Sequence, residues 1–152
     1  VAPDKGAFLV GITNKQRGGQ LLPGLGAWMD VPFDAANFSA TSGMVWTVTP
    51  PVFQNRVSRI GNTVTWSGVI AASTLSGTPS AQIVLKAPTK AKGYASGIAR
   101  VINSAPPVMT FISVSPGGAG QPGYVAIALP GSAPFALGTL QVYFTVQYEV
   151  EP

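Results

Sequence analysis

Helical spacing is what this chain lacks: no stretch of a dozen residues places apolar side chains three and four apart without a glycine or proline intervening. Eighteen glycines and fourteen prolines interrupt its 152 residues. Between the interruptions the pattern has period two, which in a strand sends successive side chains to opposite faces. Leu140, Val142, Phe144, Val146, Tyr148 and Val150 alternate with Gln141, Tyr143, Thr145, Gln147 and Glu149, so a long strand with one buried face is expected there. Val64 and Trp66 alternate in the same way with Thr63, Thr65 and Ser67 in a strand over Thr63–Ile70. Further strands are expected at Ala7–Ile12, Ala27–Phe33, Met44–Thr49, Val52–Ile60, Ala81–Leu85, Tyr94–Ile102, Val108–Val114 and Gly123–Leu129. Gly18-Gly19, Pro23-Gly24, Ser42-Gly43, Gly61-Asn62, Gly77-Thr78-Pro79 and Pro116-Gly117-Gly118 supply turn chemistry between them. About ten short strands at near-regular spacing predict one all-β domain over residues 1–152, a β-sandwich of jelly-roll type.

Charge is scarce. A folded monomer of this mass exposes roughly 7,000 Å², so fourteen charged side chains leave about one per 500 Å². Such a surface is kept wet by neutral polar groups or is covered by a partner. No acid stands between Asp34 and Glu149, and nothing from Val101 to Tyr148 is charged. Pro106, Pro107, Pro116, Pro122, Pro130 and Pro134 break every candidate membrane helix in that neutral stretch, so no membrane insertion is expected. No signal peptide is visible at Val1-Ala2-Pro3-Asp4-Lys5. With neither cysteine nor histidine, thiol nucleophiles, imidazole bases and the usual zinc and haem ligand sets are excluded, and no metal or cofactor is expected.

Few residues remain for a site. Asp30 and Asp34 are the carboxylates a polysaccharide depolymerase would need, but in an extended segment they stand roughly 13 Å apart, beyond the separation used in glycoside hydrolysis. Asp34 capping a bend is the plainer reading, and no enzyme activity is expected. Lys86, Lys90, Lys92 and Arg100 suggest an electropositive loop that attracts an anionic ligand, although they are too sparse for a nucleic-acid interface. Most of the aromatic residues, Trp28, Trp46, Trp66, Tyr94, Phe111, Phe144 and Tyr148 among them, are expected as core anchors. Tyr143, on the polar face of its strand, and Tyr124, in a loop, are candidates for sugar stacking or a subunit interface.

Specific residues carry resemblances. The run Arg59-Ile60-Gly61-Asn62-Thr63-Val64-Thr65-Trp66-Ser67-Gly68, followed by Ser76-Gly77-Thr78 and Ile83-Val84-Leu85, resembles the hairpin design of bacteriophage tail-fibre and receptor-binding C-terminal domains. The resemblance covers residues 44–130, with Tyr94-Ala95-Ser96-Gly97 and Phe111-Ile112-Ser113-Val114 in the same style. Gly6–Ile12 is similar to the opening strand of complement-head and tumour-necrosis-factor-like trimers, and Leu137–Val150 to the last strand of small viral capsid jelly rolls. A packaging coat protein would carry a basic N-terminal arm, and here only Lys5, Lys15 and Arg17 precede residue 50. Together the resemblances imply a virion domain such as the C-terminal head of a longer fibre protein. It would be a homotrimer that contacts other virion proteins and binds a host-surface saccharide or protein, with a capsid or head-decoration protein as the alternative.

Overall fold

The two-residue period becomes ten antiparallel strands in the computed structural model, which describes residues 26–50, 53–104, 106–117 and 123–152. They are β1 (Trp28–Asp30), β2 (Phe38–Ala40), β3 (Met44–Val48), β4 (Phe53–Ile60), β5 (Thr63–Gly77), β6 (Gln82–Lys86), β7 (Ala95–Asn103), β8 (Val108–Ser115), β9 (Tyr124–Ala128) and β10 (Gly138–Glu149). The strand expected at Ala7–Ile12 lies outside the described residues. β2 is not among the expected strands, because three residues are too few to display a period.

Hydrogen bonds run through one sheet in the order β1-β4-β5-β10-β7-β8-β9-β6-β2, with β3 beside the second half of β5. The expected all-β class is what the chain adopts, and the strands join in one sheet that curls into a half-barrel. The curl brings its far parts together: the Phe38 ring of β2 meets the Trp46 ring of β3 edge-on at 5.4 Å. Strands β7, β8 and β9 are successive neighbours and β6 returns beside β9, a Greek-key order read from its C-terminal end.

The bend depends on one extra residue in β5. Leu140 pairs with Ser73 and Val142 with Ile70, so three steps on β5 oppose two on β10. Such a bulge increases local twist and turns the strand. Here it falls where β5 leaves β4, at the Phe53–Ile70 pair, and takes up β3, at the Val48–Ser73 pair. It also switches which residues point inward: Val64, Trp66 and Ile70 are buried before it, and Ser73 and Leu75 after it. The strand predicted over Thr63–Ile70 therefore continues to Gly77 behind a break in phase. Ser73 satisfies the buried polar groups around the bulge, its hydroxyl accepting from the Trp46 indole N–H at 2.7 Å and donating to the Leu140 carbonyl at 3.0 Å.

Concave-side residues of β2 to β10 form one hydrophobic cluster, and Met29 of β1 packs against it. At its centre Phe144 of β10 lies over Gly68, its direct partner on β5, and meets the Trp66 ring edge-on at 4.9 Å. The Trp66 indole N–H donates to Asn55 Oδ1, so the largest buried side chain leaves no polar atom unsatisfied. At the β4–β5 turn Ile60 pairs with Thr63 around Gly61-Asn62. Gly61, with φ +58°, is alone of the two in the left-handed region, as a glycine-first hairpin turn requires.

A methyl group at Gly68 would stand 2.2 Å from the Phe144 ring. We expect Gly68→Ala to destabilise the fold by about 1–3 kcal/mol through overpacking. Urea unfolding of the variant beside wild type checks this, and an unchanged midpoint contradicts the packing described.

Candidate functional site

The convex face of the sheet is where the unabsorbed side chains collect. Cross-strand register lines them up in rows. One row runs Gln54, Val69, Tyr143, Arg100 and Met109 across β4, β5, β10, β7 and β8. The next runs Asp30, Arg56, Ser67, Thr145, Ile98 and Phe111, beginning on β1. At the usual strand spacing of about 4.8 Å these rows span roughly 20–25 Å. Ile98 and Phe111 are direct partners, and Phe111 is 82% and Met109 61% exposed, so three large apolar side chains stand together in water. Burying them would contribute about 1.5–3 kcal/mol each.

Tyr143 and Arg100, both singled out by sequence, meet in this face. They are cross-strand partners, with the guanidinium 5.7 Å from the ring centroid, a geometry worth about 0.5–1 kcal/mol at an exposed site. Beside them Trp28, Gln54, Arg56 and Val69 line a hollow of about 160 Å³. Tyr124, expected in a loop, is instead the first residue of β9 and the partner of Lys86 on β6. Lys90 and Lys92 lie in the connection 87–94, near the same end of the sheet. Arg100 does not join the lysines: Met109, opposite Arg100, and Ser115, opposite Tyr124, are six residues apart on β8, about 20 Å at strand rise. The single electropositive loop expected from sequence is therefore two separate features.

The expectation that most aromatics are core anchors fails at three positions. Tyr94 is 85% exposed, Phe111 nearly as much, and Trp28 about half. Phe111 carried a readable signal: Ile112 and Val114 share the inward parity, which puts Met109, Phe111 and Ser113 outside.

The lysine-bearing end holds a groove of about 570 Å³ lined by Thr63, Lys92, Tyr94, Gln147, Tyr148 and Glu149. Its floor is fixed. Ala91 bridges to Val150, the Lys92 N–H donates to the Glu149 carbonyl at 2.7 Å, and the Tyr148 hydroxyl bonds to Thr89 Oγ1 at 2.9 Å. Burial pushes the Tyr148 phenol above its ordinary value, against the opposing effect of the Thr89 hydrogen bonds.

Asp30 and Asp34 are each engaged locally. Asp30 pairs with Arg56 at 3.0 Å, and Asp34 Oδ1 accepts from the Ala36 N–H at 2.9 Å, capping a short 3₁₀ turn. Among the described residues no group of acids is arranged to hold a metal ion, and no helix is long and apolar enough to cross a membrane. No protein-family model, curated protein or solved structure matches the chain.

Because Met109 and Phe111 pack against little of their own chain, Met109→Ser with Phe111→Ser should leave the far-ultraviolet circular dichroism spectrum unchanged while weakening retention on a hydrophobic column at a dilution where the chain is monomeric. Equal retention contradicts the exposed face. Tyr148 gives a pH dependence. A phenol whose folded pKa is raised loses its proton first in the unfolded chain, so its stabilisation is complete below about pH 10 and falls as pH rises through the folded value. Denaturant titrations at rising alkaline pH should show a steeper loss for wild type than for Tyr148→Phe, whereas parallel losses would contradict the burial.

Proposed function

We propose that this chain is a non-enzymatic attachment domain of a virion, a trimeric phage fibre head that binds a host-surface saccharide or protein. The exposed apolar rows on the convex face carry this reading. A sheet face with Ile98, Met109, Phe111 and Tyr143 side by side is unusual for a soluble monomer and suits burial between identical subunits. The scarcity of charge supports the same assignment, since the face holds Arg100 and the Arg56–Asp30 pair and little else to repel a second copy. The Gly61-Asn62 hairpin, which carries the fibre-head resemblance, adds support, and the Greek-key order of β6 to β9 supports a jelly-roll relationship as part of the proposal.

Function follows from assembly. Three weak sites on a rigid head, and several heads on one particle, multiply affinity without new contacts. A depolymerase reading gains nothing from Asp30 and Asp34, whose carboxylates already serve an ion pair and a cap. A capsid or decoration protein would use the same apolar face and differs in what the assembled form binds.

Light scattering on the purified chain should give three times the monomer mass, and Phe111→Arg should reduce it to the monomer while its far-ultraviolet circular dichroism spectrum stays that of the folded chain. The trimer should bind host cells; shells in electron micrographs, or binding to preformed heads instead of cells, would favour the capsid class. A wild-type chain that stays monomeric at high concentration overturns the proposal.

A further inference from the structure

We infer that the groove beside Tyr94 is a binding site for a neutral pyranose sugar, a deepening that rests on the attachment reading and gives it a place on the molecule. Its 570 Å³ falls within the range of about 300–1,000 Å³ in which small-ligand sites occur. Along one wall stands the Tyr94 ring, 85% exposed. The C–H face of a pyranose laid on such a ring removes apolar surface from water on both partners.

Around the ring the polar groups are mixed in kind. Lys92 only donates, Glu149 only accepts, and Thr63 does both. Gln147 gives one amide hydrogen to Thr65 Oγ1 at 3.1 Å, which fixes the side chain and keeps its carbonyl oxygen as an acceptor. A sugar hydroxyl both donates and accepts, so neighbouring hydroxyls of one ring can use such a set. An anionic ligand gains from Lys92 what it loses to Glu149, and a cationic ligand the reverse. Neither phosphate nor ammonium is favoured, and a neutral polyol ring is.

The site is also built before the ligand arrives. Thr89, Ala91 and Lys92 tie the connection 87–94 to the end of β10, and the Val150 N–H donates to the Asn62 carbonyl at 2.8 Å, joining the β4–β5 turn to the same end. Little ordering is then left to oppose binding. The groove is open, so a single site binds weakly, which suits multivalent use.

The test is an amide NMR titration of the full chain with methyl glucoside, methyl galactoside, methyl mannoside and methyl N-acetylglucosaminide, with glucuronate as the anionic comparison. At least one neutral glycoside should move the resonances of Lys92, Tyr94, Gln147 and Glu149 together and bind more tightly than glucuronate. Tyr94→Ala should weaken it by about tenfold with an unchanged melting temperature. Overturning results are no shift with any neutral glycoside, an affinity unchanged in Tyr94→Ala, or tighter binding of glucuronate. Mass and titration are read separately: a monomer that binds sugar sinks the fibre-head reading alone, and a trimer that does not sinks the sugar site alone.

Discussion

The pairing of β5 with β10 holds this sheet together, and the bulge within it decides the shape. β10 pairs on its other edge with β7, and β5 with β4 along one half and β3 along the other, so most of the sheet is attached to this central pair. Were Ala71 and Ala72 paired regularly with no bulge, Ser73 and Leu75 would point to the solvent side and β3 would lose its place over the concave core. Ser73 fits that position because its hydroxyl can serve the Trp46 indole and the Leu140 carbonyl at once.

The same central pair sorts the convex surface. Once Phe144 faces inward over Gly68, Tyr143 and Thr145 must face outward, and register then carries Arg100, Ile98, Met109 and Phe111 into line with them. The exposed apolar rows of the convex face are thus a consequence of the core. The lysine-bearing end follows too, since Glu149 pairs with Thr63 where the β4–β5 turn, the connection 87–94 and the end of β10 meet.

Much of this was legible in the residues themselves. The inward face of β10, the Gly61-Asn62 turn and the lack of α-helix among the described residues follow from period and punctuation, and Asp34 caps its bend as its place in the sequence suggests. The second half of β5 was hidden because a bulge breaks the period that reveals a strand. Tyr94 and Phe111 have the size of core anchors and only parity marks them as outward, and the separation of Arg100 from the lysines depends on strand order, which no local pattern encodes. The uncharged stretch from Val101 to Tyr148 was ambiguous as composition, and as strands it supplies both the core and much of the proposed interface.

If the convex face closes against identical copies, as we propose, the cysteine-free chain allows a direct test. Thr145→Cys places a single thiol in the middle of that face, between Ser67 and Ile98. Its rate of reaction with a thiol reagent should fall as protein concentration is raised and the mass grows from monomer to oligomer. A thiol that reacts equally fast in monomer and oligomer would contradict the account.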